Sequence, residues 1–339
     1  MRSEIPDPSG SARPPAACRW TRSAARFIAA AAAAIVFVGT ACAADFPRWA
    51  YPIPVEGAGA PDDGHLRHVP GSGAALTRKQ IDVYPYGTPD WFPREHPPMP
   101  PVVARGRPPS VWACAYCHLP NGAGRPENAS LAGLTAGYIM QQVANFRNGA
   151  RPGSEPGRGP QTLMISIAKA VTDREVAEAA AYFSSLPPVG FVRVVESAAA
   201  PQSFVAGSMM AKVGGGGMEP IGHRIVEVPE DLERAQNRDP RTPYLAYVPV
   251  GSLERGAALV LSGGGGRTFQ CSTCHGPALQ GMGDIPRITG RSPSYTMRQL
   301  YDIRDGKRAG TAVLMTVVVA RLTEDDMADI AAYLASLSP

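Results

Sequence analysis

Two short stretches carry the chemistry of this sequence: Cys114-Ala115-Tyr116-Cys117-His118 and Cys271-Ser272-Thr273-Cys274-His275. Each has the form C-x-x-C-H. Thiols three positions apart lie near one another on one helical turn. Both can therefore reach the two vinyl groups of one porphyrin and form thioethers, with the adjacent imidazole held beneath the iron. Other chemistries fit less well. A thioredoxin-like dithiol sits beside a βαβ pattern, which neither copy has. Cysteine pairs that share a zinc are usually much closer than the 157 residues seen here, and zinc does not need a trailing His in both copies. A disulfide inside so short a loop would be strained. The other two cysteines, Cys18 and Cys42, lie near the N-terminus, so every cysteine beyond residue 43 falls in the two motifs. The motifs predict two covalently attached c-type hemes on Cys114, Cys117, Cys271 and Cys274, with His118 and His275 as iron ligands.

The motifs belong to a larger internal repeat. A shift of 157 residues also superposes Leu131 on Ile288, Gly133 on Gly290, Tyr138 on Tyr295, Gln142 on Gln299, Gly149 on Gly306 and Arg151 on Arg308. Further on the offset becomes 151, which pairs Met164 with Met315, Thr172 with Thr323 and Tyr182 with Tyr333. Self-similarity on this scale means two copies of one domain. Each copy predicts a short attachment helix, a loop, a middle helix, a long loop and a last helix. Thr135 and Ser292-Pro293 open the middle helices, and Gly149 and Gly306 stop them. Thr172 with Glu175 forms a capping box at the first last helix, and Thr323 opens its partner.

This order of elements resembles the class I cytochrome c domain, and the tandem resembles diheme electron carriers and diheme subunits of dehydrogenases. The resemblance implies a distal methionine on each iron. It carries that role to Met164 and Met315, each in a loop eight residues before a capping Thr. A thioether suits iron as a soft ligand and raises its potential. Met140 and Met297 lie in the middle helices and read as heme-packing core. Tyr138, Tyr295, Arg151 and Arg308 could bond heme propionates or simply pack and solvate. His65, His68, His96 and His223 have no repeat partners and read as ordinary histidines.

The remaining chain divides around these domains. Arginines precede the 12-residue apolar run Phe27–Val38, and Ala41-Cys42-Ala43 is a small-residue cleavage pattern. Residues 1–43 are therefore expected to be a signal peptide, and the protein periplasmic; the run is too short for a span of ~20 residues. Residues 44–99 form an aromatic, Pro-rich lead segment expected to wrap over the first domain. Residues 100–188 form cytochrome c domain 1 and residues 252–339 cytochrome c domain 2. Between them, residues 189–251 alternate at Phe191–Val195 and Arg224–Val228 like short strands, so a small β-like interdomain insert is expected in an otherwise mainly α protein. Gly263–Gly266 lacks the ending of a phosphate loop. The net charge of +4 falls close to neutral without residues 1–43, which hold five arginines against two acids. That gives no case for nucleic acid. The expected function is electron transfer between a periplasmic or membrane dehydrogenase and a downstream acceptor such as an oxidase. The protein would act as carrier or as the heme subunit of a dehydrogenase complex, with no catalytic residues of its own. A diheme peroxidase is the enzymatic alternative, although two matched methionines speak against its open or His-ligated iron. A thiosulfate-oxidising enzyme with a Cys-ligated iron would need a spare cysteine.

Overall fold

The computed structural model describes residues 46–54, 63–82 and 87–339. The expected signal peptide, with Cys18 and Cys42, lies outside them, as do Tyr84 and Tyr86. No helix of the described residues is long and apolar enough to cross a membrane.

The lead segment has little regular structure. Strand β1 (Leu66–Arg67) pairs antiparallel with β2 (Leu76–Thr77), which runs into the single turn α1 (Arg78–Ile81). It meets the first domain through His96 and Met99, and its aromatic residues also anchor it beyond that domain. Trp91 Nε1 donates to the Asn237 carbonyl at 2.7 Å, and Arg78 donates to Asn237 Oδ1 at 2.9 Å. Further upstream, Phe46, Ala50 and Tyr51 pack into the core of the second domain, and Tyr51 Oη donates to Asp302 at 2.7 Å. Buried aromatic rings remove more apolar surface from water than any other side chain, so they decide where an irregular segment settles.

The first domain contains α2 (Pro101–Ala104), α3 (Cys114–His118), α4 (Ala136–Arg147), α5 (Gly159–Ala170) and α6 (Asp173–Ser185). Thr135 accepts from the Tyr138 amide at the start of α4, and the Thr172–Glu175 capping box opens α6. Val103, Val111, Ala115, Ile139, Ala180 and Phe183 make the core. Helix α5 replaces the expected loop. Pro160 sits in its first turn, where its fixed φ favours a helix, and no Gly or Pro follows before Ala170.

The insert is built of short strands: β3 (Val192–Glu196), β4 (Ala199–Pro201), β5 (Ser203–Ala206), β6 (Met209–Lys212), β7 (Met218–Pro220), β8 (Val226–Pro229) and β9 (Tyr244–Val248), with the single turn α7 (Leu232–Gln236) before β9. β9 is central, parallel to β3 and antiparallel to β8. β5 and β6 form a hairpin closed by Gly207-Ser208, with Gly207 at φ 61°. Glu227 on β8 is 2% exposed. It accepts from Ser292 Oγ at 2.7 Å and from the Ser294 amide at 3.1 Å. An acidic group of the insert thereby sits at the positive end of a helix of the second domain.

The second domain contains α8 (Ser252–Ser262), α9 (Ser272–His275), α10 (Pro293–Arg304), α11 (Val313–Val319) and α12 (Glu324–Ser336). Ser292 caps α10, and a Thr323–Asp326 capping box opens α12. Helix α8, the longer counterpart of the single turn α2 in the first copy, packs on α12 through Gly256. A Cβ at Gly256 would lie 2.1 Å from the Asp329 carbonyl oxygen.

Two predictions follow from this frame. In an exposed helix Gly→Ala stabilises by ~1 kcal/mol; Gly256→Ala is expected instead to destabilise by about 2 kcal/mol or more, read from denaturant midpoints, because α8 must move off α12. The second concerns acid. The Arg107 hydrogen bond, reinforced by the Thr172 cap, holds Glu175 down from 4.5 to about 2. A depressed carboxylate stabilises the fold fully above its unfolded value and loses that contribution as pH falls from about 4.5 toward 2. Glu175→Gln should therefore flatten the fall in melting temperature across that window by up to one proton's uptake.

Candidate functional site

The two attachment turns hold their histidines in the same way. His118 Nδ1 faces the Ala129 carbonyl oxygen at 2.8 Å, and His275 Nδ1 faces that of Pro286 at 2.7 Å. Ala129 and Pro286 are themselves repeat equivalents, 157 residues apart. A carbonyl can only accept, so Nδ1 carries the proton and Nε2 keeps its lone pair for a metal. Burial lowers both imidazole pKa values and keeps the rings neutral, although the carbonyl bonds oppose this.

Local backbone aims each ring. Gly124 N donates to the His118 carbonyl at 3.0 Å, and its equivalent Gly281 N to that of His275 at 2.8 Å. The residue after each His has left-handed φ, Leu119 at 63° and Gly276 at 81°. Three residues on the roles reverse, with Gly122 at 68° and Leu279 at 61°. Both copies make the same turn while using glycine at opposite corners of it. A leucine in this region is strained, so the surrounding bonds must enforce the turn.

The thiols of Cys114, Cys117 and Cys271 are not activated. Burial, followed by the neighbouring Cys117, pushes Cys114 up to about 12, and burial pushes Cys271 up to about 11. This is unlike a redox-active C-x-x-C pair, whose thiolate is stabilised. The four described cysteines form no disulfide.

Above the first turn lies a cavity of about 1200 Å³ lined by Cys114, Cys117, His118 and Met164. Met164 sits on α5 and Met315 on α11, so both candidate distal ligands stand on helices and not in the loops expected for them. In the second domain Met315 and Cys271 pack, partly buried, on one core cluster. The middle-helix methionines diverge: Met297 is fully buried, whereas Met140 is 40% exposed and does not read as heme-packing core. Among the described residues, His118 is the one histidine lining the cavity. His96 pairs with Asp90 and His223 with Asp325.

Between the domains lies a cluster that sequence reasoning only half anticipated. Arg151 donates to Gln142 in its own domain and to Tyr295 and Gln299 in the other, at 3.0, 3.2 and 2.6 Å. Its repeat equivalent Arg308 reaches back to Tyr138 at 2.8 Å and Gln142 at 3.4 Å. The two copies thus exchange equivalent arginine–tyrosine bonds. Arg291 and Arg298 of the second domain and Arg158 of the first also line the cavity. Arg158 Nε, both Nε and Nη2 of Arg291, and Arg308 Nε are buried without a hydrogen-bond partner. Burial, then Arg298, lowers Arg158 to about 9. Burial alone would raise Tyr295, yet Arg151, Arg308 and Arg291 bring it down to about 8.

Buried cations with free donors call for an anion. A heme supplies two propionates, and the cavity combines an apolar body, two thiols, a neutral imidazole, a thioether and these donors. The residues present therefore fit the group. Arg291 was missed in the sequence because its repeat equivalent is Leu134, so repetition gave no signal for it.

Comparison with known proteins places the chain among such molecules. Residues 254–338 match the family model for cytochrome c. Cytochrome c-554(548) of Halomonas halodenitrificans is 44% identical over 68 residues, 20% of this chain and 82% of its own length. Cytochrome c4 of Azotobacter vinelandii is 27% identical over 230 residues, covering 66% of this chain and 84% of that protein. The thiosulfate dehydrogenase electron acceptor of Stutzerimonas stutzeri is 28% identical over 236 residues, 68% of this chain and 82% of that protein.

The cross-domain arginines yield a prediction. Arg151→Leu leaves Tyr295 and Gln299 without this donor and is expected to cost about 3 kcal/mol of stability in denaturant titrations. A cost below ~0.5 kcal/mol, as for an exposed pair, would show that the bonds do not join the domains.

Proposed function

Since the chain belongs to the cytochrome c family, in its tandem diheme form, we propose that it is a periplasmic electron carrier whose two irons are held by His118 with Met164 and by His275 with Met315. Cys114 and Cys117, and Cys271 and Cys274, supply the thioether bonds. When bound, each heme supplies a one-electron couple between ferrous and ferric iron. The chain's own residues do the rest. The Ala129 and Pro286 carbonyls hold the imidazoles in the tautomer that presents Nε2. Helices α5 and α11 carry the thioethers, which favour the ferrous state. Arg151, Arg158 and Arg291 hold carboxylates at the domain interface.

The observation that carries this reading is the duplicated His Nδ1–carbonyl bond, made at equivalent positions on both C-x-x-C-H turns. Two matched ligand sets suit a carrier that keeps both irons six-coordinate. A peroxidase would need one iron open or bound by a second histidine. The donor in this proposal is a periplasmic or membrane dehydrogenase, in keeping with the relative that accepts electrons from thiosulfate dehydrogenase. The acceptor is a downstream redox protein such as an oxidase.

Spectro-electrochemistry of the purified holoprotein tests the assignment. Two one-electron waves with low-spin spectra are expected in both oxidation states. Met164→Ala and Met315→Ala should each remove about half of the weak red-edge band of the oxidised protein and lower one of the two potentials. High-spin iron in the native protein with rapid peroxide turnover would overturn the carrier reading.

A further inference from the structure

The two attachment turns are equivalent in sequence but not in their surroundings. In the first copy Tyr116 is 4% exposed, and the Arg238 guanidinium lies 3.6 Å over its ring and donates to its carbonyl at 2.8 Å. Arg125 is buried and reaches Met209 Sδ on β6. The tip of the β5–β6 hairpin, Phe204 to Met209, lines the cavity beside Cys117. Arg238, Met209 and the hairpin come from the insert, whereas Arg125 belongs to the first domain. Shifted by 157 residues, the same positions in the second copy are bare. Thr273 and Cys274 are exposed, and Met282, the equivalent of Arg125, is 56% exposed. Phe269, two residues before the second motif, is 62% exposed. From Thr268 to Gly283 the chain carries no Asp, Glu, Lys or Arg.

Resting on the carrier reading above, we propose that the insert seals the attachment-turn face of the first heme site, so that electrons enter and leave the protein through the uncharged rim around Cys274. With hemes bound, a one-electron donor at this rim would reach the second site first, and the Arg151–Tyr295 and Arg308–Tyr138 bonds would span the route to the first. Oxidation runs the reverse course, one electron per iron. Electron transfer falls steeply with separation, so a covered face is a closed one for any partner of protein size. The first site then serves as an internal store or relay.

Accessibility and reactivity can be read separately on the holoprotein. In X-ray hydroxyl-radical footprinting, Phe269 and Met282 should be modified rapidly and Tyr116 at least ten-fold more slowly. Replacing residues 204–211 by Gly-Gly together with Arg238→Ala, which uncovers the Tyr116 ring, should bring Tyr116 toward the rate of Phe269. For reactivity the probe is ferricyanide, a trivalent anion that takes one electron from each iron. At about 0.1 M ionic strength the screening length is about 10 Å, so an added charge acts only near itself. Gln270→Lys, at the second rim, should then speed oxidation about two-fold, and Ser110→Lys, exposed four residues before the first motif, should leave the rate unchanged. Tyr116 labelling as fast as Phe269 in the native protein, or a rate gain from Ser110→Lys equal to that from Gln270→Lys, would overturn the single-port proposal. Consumption of fewer than two ferricyanide ions per reduced chain would instead point to failure of the diheme carrier reading itself.

Discussion

The hydrogen bond from each buried imidazole to a backbone carbonyl is the constraint on which both halves of the molecule depend. It decides which ring nitrogen faces the cavity, and it ties the ligand to a loop eleven residues further along the chain. That loop must return to the histidine, and it does so through left-handed corners after the motif. Because the carbonyls of Ala129 and Pro286 are fixed by those corners, ring orientation follows from backbone geometry and not from side-chain packing. Metal-binding histidines are commonly oriented by such outer partners. Here the same device is repeated with different residues at the corners, which shows that the turn is required and the particular glycine is not.

A second constraint is electrostatic. Five buried arginines, Arg151, Arg158, Arg287, Arg291 and Arg298, surround the interface between the domains. Few carboxylates answer them. Such a cluster would repel itself in an empty interior. The exchanged Arg–Tyr bonds hold the two domains in a fixed relation.

Much of this was legible in the sequence because it rests on local chemistry that repeats. Cys114, Cys117, His118 and their equivalents, the caps at Thr135, Ser292, Thr172 and Thr323, and the pairing of Met164 with Met315 all appear at constant offsets. The strands at Val192–Glu196 and Val226–Pro229 were visible from alternation. What stayed hidden depends on contacts between distant segments or on a single copy. Met164 and Met315 were expected in loops because the resemblance suggested a loop there, although the run after Pro160 contains no helix breaker. The β5–β6 hairpin was passed over because its two short strands alternate weakly, even though the Gly207-Ser208 pair is a two-residue hairpin turn. Arg291 and Glu227 have no repeat partner, and nothing local marks either as buried. The lead segment's aromatic residues announced an anchor without saying where, and the second domain proved to take Tyr51.

The measurement closest to the centre of this account is the intact mass of protein matured in a compartment that attaches heme. The account predicts the mature polypeptide plus two hemes, with both additions retained after denaturation and localised by peptide mapping to residues 114–118 and 271–275. A polypeptide carrying one heme or none, or two that dissociate on denaturation, would contradict it.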